Sequence, residues 1–173
     1  ALANAGAAAM LIGIAGFVAI GAYVSAILTT PDTPVISNPG NSIAFQDPEQ
    51  AARKAIDALA GQGVHAIIVL SHLGYGRDLA LAAKLPEIDI IAGGHTHTLL
   101  GDFRALGFQG EGPYPTACKN ADNATVLVVQ AGEWARVIGA LTVSFDRQGR
   151  VISWTGKPLM PVGTVFTQES GAG

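Results

Sequence analysis

The chain has 173 residues, of which 49% are hydrophobic and only 13% are charged, and its formal net charge is −3. This composition excludes disorder over most of the chain, because disordered segments combine low hydrophobicity with high charge. The lack of a basic surplus argues against nucleic-acid binding as the main function. The single cysteine, Cys118, excludes an internal disulfide framework and a CxxC metal site.

The beginning of the chain is apolar, and residues 1–31 carry no charged side chain. The stretch 7–28 is about as long as the ~20 residues that a membrane helix needs. Residues 1–30 are therefore set apart as an uncharged apolar segment with three interpretations. They form a membrane anchor or signal-like helix, or a buried hairpin of a soluble core, or they follow an N-terminus that lies further upstream.

The second predicted unit, residues 31–165, begins with a proline-rich turn region and then a helix. Asp47 is placed as the N-cap of this helix, Pro48 as its first residue, and Gln50 at capping-box spacing. Apolar residues then recur at helical spacing. Gly61 ends the helix.

Two short apolar runs, 64–70 and 88–92, predict buried strands. A second helix is predicted between them, over residues 76–84. This alternation of helices and strands is typical of a parallel sheet, so the predicted fold class is α/β. The remaining predictions are a long Gly- and Pro-rich loop (101–123), strands at 125–130, 140–146 and 151–154, a hairpin connection at 147–150 and a tail or linker at 166–173.

Three histidines follow the two predicted parallel strands. His72 comes after the first strand, and His95 and His97 come after the second. The carboxyl ends of parallel strands lie at one edge of a sheet, where ligands bind, so we expect these imidazoles to lie close together. Neutral imidazole suits zinc, manganese or iron, and the pattern predicts a metal site. The alternative is that they are surface or hydrogen-bonded loop histidines.

Four other residues are given structural roles. His65 is expected to be a core or edge residue of the strand 64–70. Asp78 is expected to interact with the helix dipole in the first turn of its helix. Asp89 is expected at a turn or strand edge, and Trp134 is expected to pack.

Two motifs give the chain a resemblance to a known family. Residues 71–74 read SHLG and residues 93–98 read GGHTHT. In this order they resemble the 5′-nucleotidase family of calcineurin-like metallophosphoesterases, and residues 29–40 and 128–152 are similar to further segments of that family. The resemblance covers about residues 24–165 and concerns only the second half of the catalytic domain of the family.

The resemblance implies half of a four-layer α/β/β/α sandwich and a hydrolase of 5′-nucleotide phosphoesters. It implies two divalent metal ions (Zn, Mn, Mg or Fe) that share a bridging hydroxide, with water attacking phosphorus in line. By the same resemblance, His72 and His95 are ligands of one metal and His97 is a ligand of the other. The family also implies a periplasmic or cell-surface location, outside the cytoplasm.

The chain departs from the family in its first half. The family's Asp-x-His and Gly-Asn-His motifs supply the bridging carboxylate, an Asn ligand and the catalytic histidine. Residues 1–71 contain no Asp-x-His, and Gly40-Asn41 is followed by Ser42. No catalytic or substrate-binding residue is therefore assigned, and the histidines alone suggest one weakly held ion.

Three functions stay open at this point. The first is a part of a larger 5′-nucleotidase with a nucleotide substrate, completed by an N-terminal half. The second is a truncated, membrane-anchored and non-catalytic subunit that serves a protein partner. The third is a soluble α/β domain that binds metal without using it.

Overall fold

A computed structural model describes residues 46–163 of the chain, so the predicted segments 1–30 and 166–173 lie outside the described residues. Within the described range, no helix combines the length and the apolar character that a bilayer crossing requires. The elements in chain order are α1 (Pro48–Ala60), β1 (Ile68–Leu70), α2 (Tyr75–Lys84), β2 (Ile90–Ala92), a 3₁₀ helix (Arg104–Leu106), β3 (Thr116–Lys119), β4 (Thr125–Val129), β5 (Ile138–Phe145) and β6 (Val151–Leu159).

Helix α1 forms as its capping pattern predicts. The carboxylate of Asp47 accepts a hydrogen bond from the backbone N–H of Gln50 at 2.9 Å, and Pro48 is the first helical residue. The helix ends at Gly61, which is its C-cap. Its buried face includes Ile56, which is 3% exposed and anchors the helix in the core.

The main sheet has the strand order β1-β2-β4-β3. The first three strands run parallel, with Val69 opposite Ile91 and Ile91 opposite Val128, and β3 is antiparallel to β4. Side chains from both helices and from one face of the sheet form a single apolar cluster, which confirms the mixed α/β class. The buried members of this cluster are Ala52, Ile56, Ile67, Leu73, Leu81, Ala82, Leu85, Ile88, Ile91, Val126 and Val128.

Strand β1 is shorter than predicted because it starts at Ile68, four residues after the start of the apolar run. His65 precedes the strand and its side chain is exposed, so the expectation that it is a core or edge residue of this strand is wrong. The imidazole remains hydrated in this position, so the free-energy cost of burying a polar group is avoided. The apolar run therefore marked the strand correctly but overestimated its length.

Strand β3 lies inside the segment that was predicted to be a loop, 101–123. Its residues alternate between half-buried and exposed positions, which gives no continuous apolar run. It is an edge strand that pairs only with β4 in the described sheet, with Cys118 opposite Val126. Non-local pairing, rather than local hydrophobicity, therefore defines this strand.

Strands β5 and β6 form an antiparallel hairpin outside the main sheet. Thr142 pairs with Thr155 on a face exposed to water, whereas the half-buried Val143 pairs with Trp154 on the other face. Two glycines on this second face, Gly139 and Gly156, allow a close approach of the segment that contains Tyr114. The four-layer sandwich implied by the resemblance stays a prediction.

Candidate functional site

The carboxyl ends of β1, β2 and β4 bring three connecting segments to one edge of the sheet. The ladder continues past the strands, since Ser71 N donates to Ala92 O at 2.9 Å and Gly93 N donates to Val129 O at 2.8 Å. We call the segments that follow the strands, 71–74, 93–98 and 130–133, the three edge loops. This edge is where an open α/β sheet binds its ligands.

His72 and His95 are in contact at this edge. Their ring centroids are 5.1 Å apart and the ring planes meet at 67°. Burial lowers the pKa of His72, and the proximity of His95 and His97 lowers it further. The ring of His72 is therefore neutral at pH 7, which leaves a nitrogen lone pair free to bind a metal.

His97 is oriented by a carboxylate. Its Nδ1 lies 2.8 Å from Oε2 of Glu133, and the other oxygen of Glu133 pairs with Arg136 at 2.8 Å. A carboxylate on one ring nitrogen directs the other nitrogen toward a ligand. Trp134, the next residue, is 79% exposed, so the expectation that it packs is wrong.

The loop that carries His95 and His97 has an unusual backbone. Both residues adopt positive φ angles, 77° and 57°, a region that non-glycine residues rarely occupy. The side chain of Gln130, which is 3% exposed, contacts this loop through hydrogen bonds. The sequence placed Gln130 only at a strand end, and the one signal of its role was a polar residue directly after a buried strand.

Asp78 lies under the same edge. It is in the first turn of α2, as predicted, but it is fully buried and its Oδ1 accepts a hydrogen bond from Ser71 Oγ at 2.5 Å. Its Oδ2 has no hydrogen-bond partner among the described residues, and burial raises the pKa of Asp78 to about 6. The carboxylate faces Gly93, where any Cβ would overlap Oδ2.

Asp89 lies at the opposite end of β2, away from the histidines. Its Oδ2 accepts a hydrogen bond from the backbone N–H of Ile67 at 2.8 Å, and the residue is 8% exposed. Asp89 directly precedes the central strand β2 and is buried, so the expectation of a turn or edge residue is wrong. Its carboxylate ties the segment before β1 to β2.

The described residues offer imidazole nitrogens at this edge but no complete metal site. Among residues 46–163, no group of three or more His, Cys, Asp or Glu side chains converges as a metal site. The neutral ring of His72 in contact with His95 has the donor chemistry that zinc or iron accepts. The described residues therefore fit one ion held by imidazole nitrogens, without the bridging carboxylate of a two-metal centre.

A small cavity of about 140 Å³ lies beside His97. Its lining combines apolar side chains with the Glu133–Arg136 ion pair. The lining residues are His97, Leu99, Phe108, Gly132, Glu133, Arg136, Val137 and Met160.

A mostly parallel sheet with histidines at its carboxyl edge defines a mixed α/β fold. No family profile matches the chain. It is 38% identical over 133 residues to a snake venom 5′-nucleotidase of Naja atra, and the matched region is 76% of this chain and 25% of that protein. It is also 38% identical over 146 residues to a probable 5′-nucleotidase of Treponema pallidum, and here the matched region is 83% of this chain and 25% of that protein.

A solved structure agrees with these sequence matches. The 5′-nucleotidase precursor of Thermus thermophilus superposes with a TM-score of 0.70 at 50% identity, over 72% of this chain and 25% of that chain. Over this segment, the chain belongs to the 5′-nucleotidase family. It spans about a quarter of the length of these relatives.

Proposed function

We propose that this chain provides the histidine-bearing part of an enzyme that hydrolyses the phosphoester of 5′-nucleotides with the help of a divalent metal ion. The observation that carries the proposal is the contact between the rings of His72 and His95, 5.1 Å apart at the carboxyl edge of the sheet. The family relationship supports a nucleotide hydrolase as the class of enzyme. The metal, the substrate and the activity are parts of the proposal.

His72 and His95 would hold one metal, because the ring of His72 is neutral and His95 lies against it. His97 would be a ligand of a second ion, as the resemblance implies, with Glu133 bound to its Nδ1 and its Nε2 left for the ion. A bound divalent ion lowers the pKa of water and polarises a phosphoryl oxygen. Nitrogen ligands favour Zn or Fe over Mg and Mn. Two ions and a bridging carboxylate, as the resemblance implies, require ligands from outside the described residues.

The proposed substrates are nucleoside 5′-monophosphates, and the proposed location is outside the cytoplasm. The relatives are named for action on 5′-nucleotides, which supports the substrate class. One relative is a venom protein and another is described as a precursor, which supports export. A membrane anchor in residues 1–30 stays an expectation.

The test uses the longest natural protein that contains this chain. We expect it to release phosphate from a nucleoside 5′-monophosphate, and a chelator to abolish the release. His95→Ala should weaken metal binding by at least the ~10–100-fold that loss of an outer-shell partner causes. His65→Ala is the matched control, because His65 is an exposed histidine that precedes β1. Equal metal content and activity in His95→Ala and the wild type would refute the proposal.

One observation favours the non-catalytic alternative. Within residues 46–163 no group of three or more His, Cys, Asp or Glu side chains could hold a metal ion, so these residues alone do not form a bridged pair of metals. If the longest natural protein binds metal through His95 but releases no phosphate, the accessory-subunit function is the better description. If it neither binds metal nor releases phosphate, the histidines are ordinary loop residues.

A further inference from the structure

We propose that Gln130 is a positioning residue that holds the loop 93–98 in the conformation that brings His95 against His72. The inference rests on the proposed function, because it assigns the residue that arranges the proposed metal ligands. It concerns a side chain that binds no metal itself and acts only through the backbone of its neighbours.

Both the nitrogen and the oxygen of the Gln130 side-chain amide form hydrogen bonds with the loop 93–98. Its Nε2 donates to the carbonyl of Gly94 at 2.9 Å. Its Oε1 accepts from the backbone N–H of Thr98 and from the hydroxyl of Thr96 at 3.1 Å. Gln130 is only 3% exposed, so its buried amide depends on these hydrogen bonds.

The partners of Gln130 bracket the two strained histidines. Gly94 precedes His95, and Thr98 follows His97, so both positive-φ residues lie between the points that Gln130 holds. A loop in this conformation reverts to commoner backbone angles unless its surroundings hold it. The hydrogen bonds of Gln130 are placed where they oppose that relaxation.

Gly94 lies between Gln130 and His72 and contacts both side chains. A Cβ at Gly94 would lie 3.1 Å from Nδ1 of His72, so the backbone of Gly94 is packed directly against that ring. The amide of Gln130 thus fixes the carbonyl of the residue that sets the distance between the loop and His72. A shift of Gly94 moves His95 relative to His72.

A second buried amide provides a matched control. Asn120 is 7% exposed, and its Nδ2 donates to Pro86 O at 2.8 Å. Its Oδ1 accepts from the backbone N–H of Asp122 at 3.1 Å and of Ala124 at 2.8 Å. Asn120 precedes β4 and Gln130 follows it, so the two amides have similar bonds at opposite ends of one strand.

The experiment compares Gln130→Met with Asn120→Leu in the full 173-residue chain by NMR, without metal or nucleotide. In the wild type we expect cross-relaxation between the ring protons of His72 and His95 and slow exchange of the Thr98 amide. In Gln130→Met the ring cross-peak should disappear and exchange at Thr98 should be at least ~10-fold faster, since a buried donor has lost its partner.

Asn120→Leu separates positioning from general destabilisation. It should lower the melting temperature to a similar extent while keeping the ring cross-peak and the slow exchange of Thr98. If Gln130→Met also keeps both signals, the proposal is wrong. If both variants lose both signals equally, Gln130 is only a general stabilising residue and the proposal is also wrong.

A second variant decides the matter if Gln130→Met does not fold. Gln130→Glu keeps an oxygen for Thr98 and Thr96 but replaces the donor to Gly94 with a second oxygen. We expect Thr98 to stay protected and the ring cross-peak to weaken, and an unchanged cross-peak would overturn the proposal. These signals require neither metal nor hydrolysis, so an inactive natural protein would refute the proposed function without affecting this result.

Discussion

Two aspartates are buried at opposite ends of β2, and each accepts a hydrogen bond from a neighbouring segment. Asp89 accepts the N–H of Ile67 at the start of the strand, and Asp78 accepts the hydroxyl of Ser71 beyond its end. Burial raises the pKa of both carboxyls to about 6. A buried carboxylate pays a desolvation cost when it ionises, so the folded chain is less stable with these groups charged.

The charge on Asp89 predicts a specific pH dependence. The pKa is about 6 in the folded chain and 3.8 in its ordinary state, so the folded chain binds the proton more tightly. The destabilisation of the folded chain by ionised Asp89 is absent below pH ~4, grows as the pH rises to ~6, and is fully present above that pH. Asp89→Asn keeps an oxygen for the N–H of Ile67 and removes the charge.

The free energy of unfolding of Asp89→Asn, relative to the wild type, should therefore increase between pH 4 and pH 7. Denaturant titrations of both proteins at four pH values measure this difference. A difference that stays constant with pH would mean that Asp89 has the same pKa in the folded and unfolded chains.

Gly93 provides a second prediction at the level of single residues. A methyl group at this position would overlap Asp78 Oδ2 in a buried place. Gly93→Ala should lower the free energy of unfolding by ~1–3 kcal/mol, as overpacking does. Gly76→Ala is the control: this glycine lies in α2 with nothing within 4 Å of its Cβ position, and alanine there should stabilise by up to ~1 kcal/mol. Equal stability of the two variants, measured by thermal unfolding, would contradict the packing described.

At the level of elements, the hairpin β5–β6 depends on glycines for its docking. A Cβ at Gly156 would lie 2.7 Å from the carbonyl oxygen of Tyr114, and one at Gly139 would lie 2.8 Å from Cζ of the same residue. Both distances are below those that real Cβ atoms show, so the hairpin backbone is in direct contact with the backbone of residue 114 at Gly156 and with its ring at Gly139. Two-stranded hairpins are marginally stable alone, and this contact supports the hairpin.

Gly156→Ala should therefore loosen the hairpin without unfolding the main sheet. Amide exchange should become faster throughout β5 and β6 and stay slow in β2 and β4. Thr155→Ala, on the water-exposed face, is the control and should leave the exchange of the hairpin unchanged. Uniformly faster exchange in all strands of Gly156→Ala would show that the hairpin and the sheet unfold together.

Elements with a local signal were predictable from the sequence. Capping residues placed α1, and apolar runs placed β1, β2 and β4 within a few residues. Strand β3 was missed because it owes its structure to β4, which lies across a turn. The sequence predicted that His72 and His95 would lie at one edge, but Gln130 and Glu133 were missed, because hydrogen bonds to a loop more than 30 residues away leave no local pattern.

At the level of the whole molecule, metal binding and folding are coupled if the edge loops hold an ion. An ion that binds only the folded chain stabilises it, by ~2.7 kcal/mol at a concentration 100 times its dissociation constant. Zn²⁺ should therefore raise the melting temperature of the wild type and of His65→Ala, and the rise should be much smaller for His95→Ala. Calorimetry with and without the ion measures this, and equal shifts in all three proteins would place the binding elsewhere.

The exposure of Trp134 has an optical consequence. Its indole is in water, and it is bonded along the chain to Glu133, whose carboxylate holds His97. Anything that binds His97 and displaces that carboxylate changes the surroundings of the fluorophore next to it. Once Trp154 is replaced by phenylalanine, Trp134 is the remaining tryptophan in the chain. The fluorescence of this single side chain then reports occupancy of the histidine edge without an added label.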